Sequence, residues 1–229
     1  MNNLFLLSLV SAVLLSACAS PQAGTAPSSS GVDDFIPDPR PLAKTMVYDC
    51  SGYRFTSRLG PGEMAVWFED RYVILSQVRS ASGVKYREGD ILFWLKGEEG
   101  ILVRGEQQYR DCRQLPREAP WADARRRGVN FRAVGNEPGW HLEIQPGRGI
   151  LFVGNYGELR VSTPDPGEII QDRVRVYHAV TEAYDLRVEI VDELCLDTMQ
   201  DEQYPAQVSV MLDGRLYRGC GRALDTSTP

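Results

Sequence analysis

The sequence predicts an all-β protein built from two successive antiparallel β domains. From residue 46 onward, short apolar or alternating runs of strand length follow one another, separated by glycine, proline and acidic turn residues. Residues 46–115 contain no segment with a helical hydrophobic period of useful length. This part of the chain and the part after it each hold two cysteines. The combination favours small barrels or sandwiches, each with one disulfide.

Residues 1–17 are typical of a bacterial lipoprotein signal peptide. Their apolar run, residues 4–15, is too short to span a bilayer as a stable helix. It ends in Leu-Ser-Ala-Cys at residues 15–18, which resembles the lipobox, in which cleavage precedes the cysteine that carries the lipid. We therefore predict a lipid anchor at Cys18, because several acyl chains on one residue give stable membrane attachment. A plain secretory signal with an incidental cysteine is the alternative.

The residues after Cys18 predict a location and a tether. Residues 19 and 20 lack the acidic residue that tends to retain lipoproteins at the inner membrane, so we expect an outer membrane lipoprotein that faces the periplasm. Residues 18–45 are rich in Pro, Ser, Ala and Gly, a composition that buries too little apolar surface to offset its ordering entropy. We predict a flexible tether there and a disordered tail at residues 225–229.

The remaining cysteines predict two disulfides. If Cys18 carries lipid, the four that remain are Cys50, Cys112, Cys195 and Cys220, an even number suited to an oxidising periplasm. Three pairings are possible in principle. We favour Cys50 with Cys112 and Cys195 with Cys220, because each pair encloses one block of strand-like sequence. No Cys-x-x-Cys spacing occurs and the chain has only two histidines, so neither a metal site nor a cofactor is predicted.

The first β domain is predicted over residues 46–115. Its candidate strands are residues 53–59, 63–69, 72–78, 91–95, 100–104 and 106–112. Turn-forming sequences such as Leu-Gly-Pro-Gly at residues 59–62 separate them. Between the third and fourth strands, the small polar residues 80–83 predict a presented loop, and Glu-Gly-Asp at residues 88–90 predicts a turn.

Two motifs in this domain resemble a known family. They are Ser-Ala-Ser-Gly-Val-Lys-Tyr at residues 80–86 and Phe-Trp-Leu-Lys-Gly at residues 93–97. Together with Tyr-Asp-Cys at residues 48–50, they resemble the membrane-bound inhibitors of c-type lysozyme, and the resemblance covers the whole of residues 46–115. It implies an eight-stranded antiparallel barrel closed by a Cys50–Cys112 bridge. It also implies c-type lysozyme as the protein partner.

The resemblance further implies which residues contact lysozyme. In the family, a serine and a lysine fourteen positions apart enter the active-site cleft, and Ser82 and Lys96 have that separation. Gly83 lets the loop be narrow, and Ser80 and Tyr86 complete the expected contact set. Two structural alternatives stay open: Tyr86 supports the loop without contacting the partner, and Lys96 is an ordinary solvated turn residue. Residues 93 and 94 lie on opposite faces of one strand, so at most one of them meets a partner.

A connector at residues 116–127 is followed by a second β domain at residues 128–224. Its candidate strands are residues 129–134, 140–145, 149–153, 158–162, 173–180, 186–191, 207–212 and 215–218. Its markers, such as Gly-Asn-Glu-Pro-Gly-Trp at residues 135–140, resemble an uncharacterised domain of bacterial envelope lipoproteins. Turn formation, capping and strand packing account for Glu137, His141 and Asp197, so we assign them no role. We expect the arginines at residues 125–127 to be solvated.

Charge and motifs exclude several function classes. The net charge is −6, residues 46–115 hold equal numbers of acidic and basic side chains, and no basic patch is interleaved with aromatics, so nucleic acid is not an expected partner. Residues 46–115 contain no histidine, so a Ser–His couple at Ser82 would need a histidine from the second domain. No Gly-x-Ser-x-Gly elbow or phosphate-binding glycine loop occurs either. We therefore predict that the protein is not an enzyme.

The sequence thus predicts a lipid-anchored periplasmic inhibitor of c-type lysozyme. In this interpretation, a serine-containing loop and a lysine enter the active-site cleft of lysozyme and thereby protect peptidoglycan. The alternative belongs to another class: an envelope structural or stress lipoprotein whose second domain binds an unidentified partner. The sequence does not indicate the oligomeric state.

Overall fold

The computed structural model describes residues 44–97 and 99–224, all within one compact unit, Gly31–Pro229. The predicted signal peptide, the lipidation site at Cys18, nearly all of the tether and the C-terminal tail lie outside these residues. The predicted fold class is confirmed: the described residues form two large antiparallel sheets, with one disulfide in the region of each. None of the helices in residues 44–97 and 99–224 has the length and apolar character needed to cross a membrane.

The first sheet contains nine strands. They are β1 (Thr45–Cys50), β2 (Tyr53–Gly60), β3 (Glu63–Trp67), β4 (Tyr72–Val78), β5 (Val84–Glu88), β6 (Ile91–Lys96), β7 (Glu99–Arg104), β8 (Gln107–Tyr109) and β9 (Cys112–Gln114). Their order in the sheet is β8-β7-β6-β5-β4-β3-β2-β1-β9, so each hairpin pairs with the next and the last strand pairs with the first. The result is a nearly closed antiparallel sheet.

The nine strands replace the expected eight because the last strand is interrupted. Asp111 lies between β8 and β9 and has a positive φ of 52°, which ends the pairing with β7. The chain then pairs with β1, where Cys112 lies directly opposite Cys50. The disulfide between these two residues joins Cα atoms 3.9 Å apart. It ties β9 to β1, the strand that begins the sheet.

The core of this sheet follows the alternation of its strands. Inward positions are filled by aromatic and large aliphatic side chains; the largest buried ones are Phe68, Phe93, Met64, Leu75, Ile91 and Leu102. The Phe93 ring packs edge-on against Tyr48, with 4.9 Å between ring centroids, and also against Phe55 at 5.2 Å. Such packing is the main stabilising contribution in a domain of this size.

Two strands of the first sheet were not expected from the sequence. β1 has a run of buried side chains without alternation, since the helix described below covers its outer face. β5 contains the short polar sequence Lys-Tyr-Arg, in which only Tyr86 is buried. A single buried side chain in five residues is too weak a signal for a strand, and the pairing of β5 with both neighbours supplies what its composition lacks.

The second sheet also contains nine strands. They are β10 (Phe131–Asn136), β11 (Gly139–Gln145), β12 (Gly149–Gly154), β13 (Leu159–Pro164), β14 (Ile169–Gln171), β15 (Val174–Val180), β16 (Asp185–Val191), β19 (Ala206–Leu212) and β20 (Arg215–Ala223). Their order is β13-β12-β11-β10-β20-β19-β16-β15-β14. The remaining two strands, β17 (Cys195–Asp197) and β18 (Glu202–Tyr204), form a separate small hairpin.

One continuous core covers one face of the second sheet. Its members come from β10, β11, β12, β13, β15, β16, β19 and β20, and its largest fully buried side chains are Phe152, Leu142, Ile144, Ile150 and Leu186. A 3₁₀ turn at Asn155–Gly157 joins β12 to β13. The small hairpin lies on the other side of the sheet, where the Cys195–Cys220 disulfide fastens β17 to β20.

A helix absent from the sequence prediction, α1 (Ala119–Arg126), joins the two sheets. It begins with a proline in its first turn, which suits a helix start, and it buries Trp121, Ala122 and Ala124. The Trp121 ring packs against Tyr204 of the small hairpin, with 5.4 Å between centroids, and the Arg222 guanidinium lies 4.3 Å from the Trp121 ring centroid. The same helix contacts β1 of the first sheet.

Paired charges connect this helix to both sheets. The Asp123 carboxylate accepts hydrogen bonds from Thr45 Oγ1 (2.7 Å), Arg58 Nη2 (2.6 Å) and Arg127 Nε (2.9 Å). The Arg127 guanidinium then donates to both oxygens of Glu143, at 2.7 and 2.8 Å. Glu143 lies on β11 and its side chain is 1% exposed. One chain of charges thus runs from the first sheet through the helix to the second.

The expectation that the arginines at residues 125–127 are solvated is wrong for two of them. Arg127 is part of the charge network, and the Arg126 guanidinium lies 3.2 Å from the Trp67 ring centroid on the first sheet. Burial lowers the pKa of Arg126 to about 10. Only Arg125 is exposed. Consecutive helical residues point in different directions around the axis, so a cluster in sequence is divided between the solvent and the two sheets.

Candidate functional site

The loop before β5 has a fixed backbone and an exposed surface. The Ser80 hydroxyl oxygen lies 2.8 Å from the Ser82 carbonyl oxygen and 2.9 Å from that of Gly83. Trp94 Nε1 donates a second hydrogen bond to the Ser82 carbonyl, at 2.9 Å. The Ser82 side chain is exposed, and its hydroxyl makes no hydrogen bond with any residue in the described part of the chain. The main chain is therefore fixed while this hydroxyl stays available.

Gly83 allows the loop to approach the neighbouring strand. Its φ is +69°, and a Cβ atom added there would lie 2.1 Å from the Leu95 carbonyl oxygen and 3.2 Å from the Lys96 Cα. Any residue other than glycine would therefore clash with backbone atoms that cannot move separately from β6. This close approach brings Ser82 and Lys96 to the same end of the sheet.

Lys96 ends β6 and is exposed beside the loop. The chain turns at Gly97, whose φ is +63°, so that Lys96 pairs across the hairpin with Glu99 of β7. Within residues 44–97 and 99–224, the Lys96 ammonium forms no ion pair. Lys85 lies on the same surface, with its ammonium 5.8 Å from the Trp94 ring centroid. Two neighbouring backbone segments thus carry an exposed ammonium and an exposed hydroxyl at the same end of the sheet.

The aromatic residues of the two motifs divide between the core and the outer face. Phe93 is fully buried, and Tyr86, which pairs with it across β5 and β6, is 7% exposed. Burial raises the pKa of the Tyr86 hydroxyl. Trp94 lies on the opposite face, partly exposed, where it holds the loop through its indole N–H. Tyr86 therefore supports β5 from within the core, and its contact with lysozyme stays a prediction.

Sequence reasoning missed how the loop is held. The resemblance implies that Ser80 contacts lysozyme, and this contact stays a prediction; in the structure the Ser80 hydroxyl donates to the backbone carbonyls of its own loop. Sequence reasoning gave Trp94 no position relative to the loop. The one signal available was the alternation in β6, which predicts that residues 93 and 94 face opposite ways, but alternation does not show that the indole N–H reaches a carbonyl twelve residues earlier.

Polar residues of the second domain have structural partners. Asp197 is 5% exposed, and its Oδ1 accepts from Asn136 Nδ2 at 2.7 Å and from the backbone N–H groups of Met199 and Gln200 at 3.0 and 3.2 Å. Burial first, and then the nearby positive charge of Arg132, lower the pKa of His141 to about 4. Across residues 44–97 and 99–224, no group of His, Cys, Asp and Glu side chains could hold a metal ion.

Comparison with known proteins finds a family match for the first domain. A family model described as membrane-bound lysozyme-inhibitor of c-type lysozyme matches residues 48–111, which include the loop, Lys96 and the first cysteine of the first disulfide. No family model matches the rest of the chain.

A curated relative supports the same assignment. The chain is 32% identical over 79 residues to the membrane-bound lysozyme inhibitor of C-type lysozyme of Yersinia enterocolitica serotype O:8 / biotype 1B, a match that covers 33% of this chain and 68% of that protein. The family-model match, residues 48–111, lies within the first sheet, whose antiparallel, nearly closed form with a bridge from β1 to β9 was implied by the resemblance. The chain therefore belongs to the family of membrane-bound lysozyme inhibitors of c-type lysozyme.

Proposed function

We propose that this protein is a membrane-bound inhibitor of c-type lysozyme, and that Ser82 and Lys96 enter the active-site cleft of the enzyme. Family membership supports the class of activity. The observation that carries the finer proposal is the geometry of the loop: Gly83 lets the backbone next to Ser82 lie against the end of β6, where Lys96 is exposed, and hydrogen bonds from Ser80 and Trp94 hold that backbone. Gly83 belongs to the site as the residue that permits this approach.

The chemistry of the target suits an ammonium. A lysozyme cleft contains two carboxyl groups that flank the scissile bond, one acting as the acid and the other as the nucleophile or stabiliser. The Lys96 ammonium, delivered into this cleft, meets negative charge in a partly desolvated site, where electrostatic interactions exceed their value in open water. Because Lys96 has no ion pair within residues 44–97 and 99–224, it loses no existing partner when it binds.

The serine hydroxyl suits the polar groups of the same cleft. A hydroxyl both donates and accepts hydrogen bonds, so Ser82 can occupy a position that a sugar hydroxyl or water would otherwise fill. Its backbone is held by the Ser80 and Trp94 contacts before any partner arrives, which reduces the entropy lost on binding. Ser80 and Tyr86 then act mainly by supporting the loop and the strand.

We propose the following cellular context. Cleavage before Cys18 and lipidation of that residue anchor the protein at the outer membrane, facing the periplasm, with residues 18–45 as the tether. In this position it would protect peptidoglycan by blocking lysozyme. The proposal needs no catalytic group on the inhibitor domain, since inhibition requires only occupancy of the cleft.

The test is inhibition of a c-type lysozyme by the full chain and by its Ser82→Ala and Lys96→Ala variants. Central polar contacts of an interface typically cost at least about 1 kcal/mol when truncated, so each variant should inhibit at least about fivefold more weakly. Ser162→Ala on β13 and Lys44→Ala before β1 are matched controls, because both residues are exposed and lie outside the loop site. They should inhibit like the parent.

Two outcomes would contradict the proposal. If the folded parent leaves lysozyme fully active, the inhibitory function is wrong, and a structural or stress lipoprotein whose second domain binds a partner becomes the better account. If the parent inhibits and the two variants match their controls, inhibition stands but the loop and Lys96 do not cause it. Rising salt concentration should also weaken inhibition by the parent, because ions screen the attraction between Lys96 and the carboxyl groups of lysozyme.

A further inference from the structure

A cleft of about 360 Å³ lies on the outer side of the second sheet, under the small hairpin β17–β18. Alternation in β19 and β20 places Val208 and Tyr217 in the core, so Ser209 and Arg218 point to the opposite side, where they line this cleft. The Cys195–Cys220 disulfide fixes the hairpin over the sheet. The volume of the cleft lies within the range of sites that bind small molecules.

The cleft is lined by one cationic side chain that forms no ion pair within the described residues. Arg218 is exposed, and its guanidinium makes no hydrogen bond or ion pair with any other residue in the described part of the chain. Ser209 lies directly opposite Arg218 in the register of β19 and β20. Its hydroxyl likewise has no hydrogen-bond partner within residues 44–97 and 99–224. A guanidinium and a hydroxyl are therefore free on adjacent strands.

Two acidic groups lie in or beside the cleft, and both have other partners. Asp197 lines the cleft, but it is 5% exposed and its Oδ1 accepts three hydrogen bonds from the hairpin and from Asn136. Glu189, opposite Ser209 on β16, pairs with Arg187 at 2.9 Å. Neither carboxylate forms an ion pair with Arg218, so the N–H groups of its guanidinium are available to a ligand.

We infer that this cleft binds a small ligand bearing a carboxylate beside hydroxyl or amide groups. A planar guanidinium presents parallel N–H groups that match the two oxygens of a carboxylate. The hydroxyls of Ser209 and Thr198 and the amide oxygen of Gln207 supply donors and acceptors for the neighbouring groups of such a ligand, while Gln207 Nε2 donates to the Leu194 carbonyl at 3.4 Å. Two sources have this chemistry, a sugar acid and the C-terminus of a short peptide. The inference does not rest on lysozyme inhibition.

The test is an NMR titration of the full chain, labelled with ¹⁵N, with four probes. Glucuronate and N-acetyl-alanyl-alanine carry the carboxylate, and glucose and the amide of the same dipeptide are their neutral counterparts. A carboxylate probe should shift the backbone amides of residues 197–198, 207–209 and 218–220, and its neutral counterpart should bind at least about tenfold more weakly. A response to glucuronate alone identifies a sugar acid, and a response to the dipeptide alone identifies the C-terminus of a peptide. A response to both shows that the cleft accepts either source.

Arg218→Gln should bind the carboxylate probe at least about tenfold more weakly than the parent. Arg218→Lys should retain part of this affinity, because lysine keeps the positive charge but lacks the planar guanidinium. Arg173→Gln is the matched control, because Arg173 is an exposed arginine in the turn between β14 and β15. Arg218→Gln should inhibit lysozyme like the parent. If neither carboxylate probe shifts these amides at millimolar concentration, if neutral probes bind equally, or if Arg218→Gln binds like the parent, the inference is overturned.

Discussion

Replacing Gly83 with alanine tests whether the geometry of the loop causes inhibition. The added Cβ would lie 2.1 Å from the Leu95 carbonyl oxygen, a backbone atom of β6. A left-handed conformation alone costs a non-glycine residue about 1–2 kcal/mol. The clash adds to this cost, because it can be relieved only if the loop moves away from β6. We therefore expect Gly83→Ala to lower the free energy of unfolding by more than about 2 kcal/mol.

The matched control is Gly89→Ala, because Gly89 also has a positive φ, +54°, but an added Cβ there meets nothing within 4 Å. This variant should lose only the conformational term of about 1–2 kcal/mol and should inhibit lysozyme like the parent. Stability is measured by denaturant unfolding, and inhibition is measured on samples whose circular dichroism shows a folded protein. Folded Gly83→Ala should inhibit at least about tenfold more weakly. Equal inhibition by the two variants would refute the reasoning.

Three further predictions concern the loop, the charge network and the first disulfide. Trp94→Phe keeps an aromatic ring but removes the indole N–H that holds the loop. Inhibition should therefore weaken by about 1 kcal/mol, or about fivefold, with little change in folding. Unchanged inhibition would contradict this role of the indole N–H. Asp123→Ala should lower the free energy of unfolding by about 2 kcal/mol, because it removes the carboxylate that accepts hydrogen bonds from Thr45, Arg58 and Arg127. Asp90→Asn, at an exposed side chain, should change it little. Burial raises the pKa of Asp123, but the hydrogen bonds and positive charges of its partners outweigh burial and hold this pKa below its usual value. The contribution of Asp123 to stability is therefore complete above the unfolded pKa of about 4 and is lost as the pH falls through the folded pKa. Urea unfolding of the parent and the variant between neutral and acidic pH measures their difference in stability, which should shrink in acid. Replacing Cys50 and Cys112 together with alanine should destabilise the first sheet by about 2–4 kcal/mol in denaturant unfolding, and a smaller loss would show that the strand pairing alone closes the sheet.

The fold could be predicted from the sequence where an apolar or alternating run has the length of a strand and the turns have characteristic residues. The strand over residues 91–95 and the even number of cysteines are of this kind, and the structure contains both the strand and one disulfide in the region of each sheet. Helix α1 could not be predicted in this way. It is short, it starts at a proline, and its buried face is set by contacts with two different sheets rather than by a long hydrophobic period.

The residues of the candidate site could be predicted from the sequence, but the hydrogen bonds that hold its loop could not. The spacing of Ser82 and Lys96 led to the expectation that they act together, and the structure brings their backbones to the same end of the sheet through Gly83. The hydrogen bonds from Ser80 and Trp94 to the loop carbonyls were not predictable, because each depends on a side-chain direction that sequence spacing does not fix. Contacts of this kind decide how rigid a loop is.

The link between the two sheets changes how the protein should be tested. The Trp67 ring of the first sheet lies against the Arg126 guanidinium of α1. Thr45 and Arg58 of the first sheet also donate hydrogen bonds to Asp123 of α1. A fragment that ends near residue 115 would lose these contacts with α1. The full chain is therefore the appropriate sample for measuring inhibition.

The most direct test of the central claim is a double-mutant cycle between Lys96 and a catalytic carboxyl group of lysozyme. Binding is measured for the parent and Lys96→Ala, each with native lysozyme and with lysozyme whose catalytic glutamate is changed to glutamine. If the ammonium enters the cleft, the two changes should couple by at least about 1.5 kcal/mol, as close charge pairs across interfaces do. Additive effects of the two changes would show that Lys96 does not meet that carboxyl group and would contradict the account.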